Sequence, residues 1–254
     1  MKVSVITICY NSEKTLEDTI RSVISQTHTD IEYIIVDGNS TDSTISIIKS
    51  FSNQVTNWVS EPDKSLYDAL NKGLAMATGE VVGFLHSDDM FADNQVIASV
   101  VDSFHAGPAD SVYGDIQYVD QLDTDKTLTF RKSGKFRRIK FWFGWSPPHP
   151  TFYMKRALYE KYGGFDISFK IAADYDTLVR YLIRERVTTI YNPAIRVKMR
   201  VGGISNKTMK NVSRKWGEDH RAMKKNNFGN PLTLFLKTMR PVAHFYRSPK
   251  YLFE

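Results

Sequence analysis

Four apolar runs in the first ninety residues each break off at a carboxylate or an amide, and that repeat constrains the fold more than any other feature. "VSVITICY" ends at Asn11, "IEYIIVD" at Asp37, "TNWVS" at Glu61 and Asp63, and "EVVGFLH" at Asp88 and Asp89. The longer runs are too continuous in apolar residues for strands with one wet face, so they predict strands buried on both sides. Helical patterns lie between them. "EKTLEDTIRSVISQ" spaces Leu16, Ile20, Val23 and Ile24 along one face, and "STDSTISIIKSF" sets Ile45 and Ile48 behind Ser and Thr N-cap candidates. "SLYDALNKGLAMATG" aligns Leu66, Ala69, Leu70, Gly73, Leu74 and Ala77 before Gly79 stops it. Strands and helices alternating through short connections predict an α/β fold, a largely parallel sheet flanked by helices. Such sheets bind ligands outside the carboxyl ends of their strands, where these acids gather.

Charge divides the chain in two. Residues 1–124 hold 6 Lys and Arg against 19 Asp and Glu, whereas residues 125–254 hold 28 against 9. An acidic half suits a cation or catalytic carboxylates, and a basic half suits phosphates, nucleic acid or an anionic membrane. The single cysteine, Cys9, excludes an intrachain disulfide and any multi-cysteine metal site, in keeping with a cytoplasmic location. No apolar stretch reaches the length of a membrane span, and "MKVSVITICYN" reads as a first strand, not a signal peptide.

Past residue 124 the rhythm weakens into a hairpin and the basic segment "FRKSGKFRRIKFW". The prolines of "GWSPPHP" impose an extended loop, "TFYM" reads as a strand and "KRALYEKYGG" as a helix closed by glycine. In the helix "ADYDTLVRYLIRE", Tyr175, Leu178, Val179, Leu182 and Ile183 form the buried stripe. Asp174 and Asp176 flank it on opposite sides, so only one of them faces a given pocket. These patterns divide the chain into a main domain over 1–206, with an acidic half to 124 and a second half beyond it, and a helical, basic and aromatic extension over 207–254.

Two adjacent carboxylates on a strand-end loop repel each other and lose hydration unless a cation or good hydrogen bonds compensate. Oxygen ligands without cysteine favour Mg²⁺ or Mn²⁺. The alternative is that Asp88 and Asp89 open the next helix. The chain has no G-x-G-x-x-G, no G-x-x-x-x-G-K-[ST] and no H-E-x-x-H, which removes the usual signatures of Rossmann dehydrogenases, P-loop enzymes and zincins.

The segments "VSVITICYNSEKTLEDTIRSVISQTHTDIEYIIVDGNSTDST", "SEPDKSLYDALNKGLAMATGEVVGFLHSDD", "GGFD" and "AADYD", in that order, resemble the family 2 glycosyltransferases, inverting sugar transferases with a GT-A fold. The resemblance implies a nucleotide-sugar donor, most often a UDP-sugar, over the carboxyl ends of the first strands. It puts Thr7 and Asn11 along the nucleotide pocket, Asp37 on base or ribose, and Asp63 at the border. "HSDD" stands at the metal motif; Ser87 in its first position leaves Asp89 as the Mn²⁺ or Mg²⁺ ligand and Asp88 as a sugar or ribose contact. Lys72 faces phosphate or forms an i,i+4 surface pair with Asp68. Asp174 is the implied general base, with Asp176 in reserve, and Ala173 replaces the glutamate that usually precedes it. His149 and Trp145 are acceptor-side candidates, with packing as their alternative, and Arg200, ahead of the "VGGISN" segment, approaches the diphosphate.

The implied reaction is inverting, non-processive transfer of one sugar to a hydroxyl of a glycan or a lipid-diphosphate-linked acceptor in bacterial-type polysaccharide assembly. Phe235, Phe245 and Tyr246 of the extension are candidates for contact with an anionic membrane at the inner cytoplasmic face, against a solvated or dimer-forming helix. A sugar nucleotidyltransferase lacks its glycine-rich basic loop here, and a nucleic-acid module lacks a recognised motif in the basic half, so no nucleic-acid partner is expected.

Overall fold

In the computed structural model, which describes residues 1–201 and 209–246, all four apolar runs are strands: β1 Val3–Cys9, β2 Ile31–Asp37, β3 Asn57–Ser60 and β4 Val81–Phe84. They pair in parallel in the order β3-β2-β1-β4, with Cys9 opposite Asp37 and Asp37 opposite Ser60. Every residue of β1 is buried, which explains its unbroken apolar run. Alternate side chains enter two cores. Ile6, Ile8, Ile34, Val36 and Phe84 pack on one face under α3 (Leu66–Met76), while Val3, Val5, Tyr33 and Ile35 pack on the other under α1 (Leu16–Ile24) and α2 (Thr44–Ser50).

From β1 the chain winds one way to β2 and β3, and β4 lies on the other side of β1. This reversal opens a crevice above their carboxyl ends. Beyond β4 the sheet is mixed. A short β5 (Asp89–Phe91) leads to α4 (Val96–His105), and β6 (Ser111–Val119) forms an antiparallel hairpin with β7 (Thr127–Arg131). After α5 (Ile139–Trp142) comes β8 (Tyr153–Lys155), antiparallel to both β4 and β6, and then α6 (Arg156–Tyr162). The helix α7 (Ala173–Val179) continues into a π-helical turn, Arg180–Arg184.

Two features escaped the sequence patterns. The twelve-residue β9 (Thr189–Arg200) runs parallel to β6 and antiparallel to β5, pairing Asp89 with Met199. It returns the basic half of the chain to the acidic strand end. The expected extension is helical, α8 (Met209–Lys225) and α9 (Pro231–Tyr246), yet Ala222, Met223, Phe228 and Leu234 belong to the same core as Phe84 and Leu178. It therefore packs as part of the main body.

Candidate active site

Loop geometry at the β1 and β2 ends is set by Asp37. Its Oδ2 accepts from the Ser40 N–H at 2.9 Å and the Ser60 hydroxyl at 2.6 Å, and its Oδ1 accepts from the Ser40 hydroxyl and the Cys9 thiol. Both oxygens are thus engaged within the protein, and the residue is fully buried. Asn11 adopts a left-handed conformation (φ 48°), which asparagine tolerates, and its Oδ1 accepts from the Thr41 N–H at 2.9 Å. Thr7 sits deeper than expected for a residue lining a pocket. It is fully buried, its hydroxyl accepts from Tyr33 at 3.1 Å, and its side chain offers no surface to a ligand.

Tyr10, just past the end of β1, is 64 % exposed. A Cβ on Gly38 would lie 3.1 Å from Asp63 Oδ2 and 3.4 Å from Tyr10 Cδ2, so the three residues converge above the crevice. The only sequence signal for Tyr10 was its position at a strand end. Asp63 pairs with Lys72 at 2.7 Å, and Lys72 also meets Glu61 at 2.7 Å and Asp68 at 3.9 Å. Hydrogen bonds to Asp63 and Glu61 hold the ammonium well above the ordinary lysine range. The i,i+4 alternative is therefore present within a larger cluster that neutralises Lys72.

Accessibility divides the two carboxylates after β4. Asp88 is exposed, whereas Asp89 is 2 % exposed and no described residue donates a hydrogen bond to its side-chain oxygens. Burial first, and then the Asp88 charge, push its carboxyl well above the carboxylate range, with Arg200 opposing. The helix-start alternative does not apply, because Asp89 opens β5 and α4 begins at Val96. Arg200, buried at the end of β9, donates to the Asp88 carbonyl at 2.9 Å and to Asp18 Oδ2. The Thr19 hydroxyl donates to the Asp89 carbonyl at 2.7 Å, and the Ser12 and Ser87 hydroxyls lie 2.9 Å apart. These contacts fix the loop. Among the described residues no group of three His, Cys, Asp or Glu side chains converges as a complete ion cage. A hard cation that keeps water and substrate oxygens needs only one or two carboxylates, so a buried Asp89 beside an exposed Asp88 fits one.

A continuous path of contacts links this loop to α7. The His86 ring lies 6.3 Å from His149, His149 lies 5.5 Å from Phe165, and Phe165 stacks on Tyr67 at 6.0 Å. The Tyr67 phenol faces the backbone N–H groups of Ala173 and Asp174; burial, then the Asp174 carboxylate, push its pKa far up. Asn71 pins Phe165 through paired 2.8 Å bonds to its N–H and carbonyl. His149 is buried against Phe84 and Phe165, and burial followed by His86 presses its pKa down to about 3. Trp145 is 2 % exposed among Tyr113, Phe136 and Phe141; packing, the alternative to sugar stacking, describes it.

The two aspartates of α7 separate as the helical spacing required. Asp176 is fully buried, accepting from Asn226 Nδ2 at 2.8 Å and Lys225 Nζ at 3.1 Å, which ties α7 to α8 and excludes it as a free base. Asp174 is half-buried on the other side. One group was missed from sequence. Glu218 on α8 accepts from the N–H groups of Lys170, Ile171 and Ala172 at 2.8–3.0 Å, fixing the turn immediately before Asp174. A lone glutamate forty-four residues downstream carried no local signal. The "VGGISN" segment beyond Val201 and the side chains of Phe245 and Tyr246 lie outside the described residues.

The largely parallel sheet flanked by helices, with acids at the carboxyl edge of its strands, is a GT-A fold. Residues 4–163 match Glycosyl transferase family 2, and the chain belongs to that family. It is 33 % identical over 193 residues to an uncharacterized glycosyltransferase of Mycobacterium tuberculosis, covering 73 % of this chain and 71 % of the relative. A PGL/p-HBAD biosynthesis glycosyltransferase of Mycobacterium bovis is 28 % identical over 208 residues, 80 % of this chain and 78 % of the relative. The solved structure of Staphylococcus aureus TarS residues 1–349 with UDP has a TM-score of 0.66 at 19 % identity, covering 99 % of this chain and 74 % of that one. The mannosyltransferase PcManGT of Pyrobaculum calidifontis, solved with GDP-Man and Mn²⁺, also gives 0.66 at 19 % identity, covering 98 % and 72 %.

Proposed function

We propose that this enzyme is an inverting, non-processive glycosyltransferase moving one sugar from a UDP-sugar to a hydroxyl of a glycan or lipid-diphosphate-linked acceptor in polysaccharide assembly. The observation that carries the reading is Asp89, a buried carboxylate without a hydrogen-bond donor among the described residues, set beside exposed Asp88 at the carboxyl end of β4. Asp89 would hold Mn²⁺ or Mg²⁺, which supplies Lewis-acid stabilisation of the departing diphosphate, and Asp88 at the lip would contact the sugar or ribose. Tyr10 offers a ring face to the base, and Asp63 borders the same crevice. That solved relatives of the same fold carry UDP or GDP-Man supports a nucleotide-sugar there.

Asp174 acts on the acceptor. As the acceptor oxygen attacks the anomeric carbon from the face opposite the diphosphate, an Asp174 carboxylate oxygen takes its proton, so the sugar's configuration inverts. Asp176 is already bound to α8, which leaves Asp174 as the base on this helix. Glu218 serves as a positioning residue, because it holds the three N–H groups that precede the base. No helix among the described residues is long and apolar enough to cross a membrane. Isothermal titration with UDP-, GDP- and dTDP-sugars, each with and without Mn²⁺, tests the reading. It expects one nucleotide class to bind in a Mn²⁺-dependent way, and failure of all three contradicts it.

A further inference from the structure

Helix α9 is oriented against the usual rule for a surface helix. Leu234 and Thr233 face the protein, and Lys237 turns inward to Asp219 at 2.6 Å and over the Tyr175 ring at 4.0 Å. Leu232, Phe235 and Met239, at i, i+3 and i+7, face outward. Ile139 and Trp142 of α5 and Phe143 just after it are exposed as well, and these six side chains are between 42 % and 62 % exposed. The two groups adjoin. Trp142 meets Phe228 edge-on at 4.9 Å, and a Cβ on Gly144 would fall 2.3 Å from the Lys237 Cα, so the α5 turn abuts the α9 backbone. Exposed apolar side chains in one contiguous patch mark an interaction surface.

Charge identifies the occupant. From Lys126 to Tyr159 the chain carries no acid, and none occurs between Asp219 and Glu254. Lys132, Lys135, Arg137 and Arg138 are exposed just before α5. A second copy of the chain docked face to face would oppose these cations with their own equivalents, whereas an anionic bilayer accepts both the cations and the apolar side chains. We propose that α5 and the outward face of α9 form a docking surface for an anionic lipid bilayer. This deepens the transfer reading, because the inward face of α9 lies over α7, the helix of Asp174, and so sets the acceptor side of the site next to the membrane.

Co-sedimentation of the full chain with vesicles tests it without any donor, so its failure leaves the transfer reading standing and the reverse also holds. Binding is expected to vesicles of equimolar phosphatidylcholine and phosphatidylglycerol, not to phosphatidylcholine alone, and to fall as salt rises. The Arg137→Gln/Arg138→Gln pair should weaken partition by about 25-fold, at roughly fivefold per cation. The Phe143→Ser/Phe235→Ser pair should weaken it too, with an unchanged unfolding midpoint, and Trp142 emission should shift to the blue on vesicles, a shift that Trp142→Phe removes. Equal recovery in the supernatant with and without anionic vesicles overturns the proposal, as does wild-type binding by both variants. A dimer in analytical ultracentrifugation that Phe143→Ser/Phe235→Ser dissociates assigns the patch to a second copy and also overturns it.

Discussion

Replacing Asp89 with asparagine should make the free protein more stable while weakening its hold on the donor. The wild-type carboxylate is 2 % exposed, lacks a donor among the described residues and lies beside Asp88, so ionising it in the folded state is opposed by burial and by a like charge. Its folded pKa is raised, so the folded state favours the protonated form, and stability falls as pH rises from the unfolded carboxylate range through the folded value. Asparagine removes that titration. Since the amide is still a polar group out of water, the gain should be modest, about 1–2 kcal/mol. For a chain of this size that corresponds to roughly 2–8 °C in Tm. Differential scanning fluorimetry without divalent cations should show the gain at pH 8 and its disappearance near pH 4. Adding Mn²⁺ and UDP should raise the wild-type Tm and leave the variant behind. A variant less stable than wild type at pH 8, or one that gains as much from Mn²⁺ and UDP, refutes the assignment of a buried, cation-seeking charge.

Glu218→Ala strips the acceptor from three backbone N–H groups and should cost about 1–3 kcal/mol. It should lower kcat more than it changes the donor KM, with partial recovery in Glu218→Gln, and steady-state kinetics beside thermal unfolding reads both. Stability should decline in acid in two stages. His149, held down to about 3, contributes stability that is full above the unfolded histidine range near pH 6.5 and is lost as pH falls through its folded value. Burial alone would raise the Glu32 carboxyl, but hydrogen bonds from Ser4, Thr78 and Lys2 outweigh it and hold it at about 2, so its contribution is present above about pH 4.5 and lost towards pH 2. Urea unfolding of Glu32→Gln and His149→Phe across pH 3–8 should flatten the corresponding stage in each.

The parallel half of the fold was legible because its signal is local. Continuous apolar runs and the helical stripes between them state strand, helix and burial without reference to distant residues, and the acids follow from where such strands end. The second half depends on pairing across long separations. β9 joins Asp89 to Met199, and neither Pro193 within that strand nor its half-exposed sequence suggests a twelve-residue partner for β6. For the same reason Glu218, whose partners are forty-six to forty-eight residues away, was invisible, while Asp174 and Asp176 could be separated by helical geometry alone. Residue type did not reveal depth. Thr7, Trp145 and Asp176 stand among the site candidates in sequence, yet each is buried by elements that pack over it.

The central claim is that the strand-end acids hold the donor and an aspartate from the far half of the chain activates the acceptor. Asp174→Asn measures it directly, since the amide keeps the shape but takes no proton. Donor affinity from titration with the UDP-sugar and Mn²⁺ should stay within about twofold, while single-turnover transfer should fall by roughly 10²–10⁴. Transfer at the wild-type rate, or donor binding lost in step with transfer, contradicts the account.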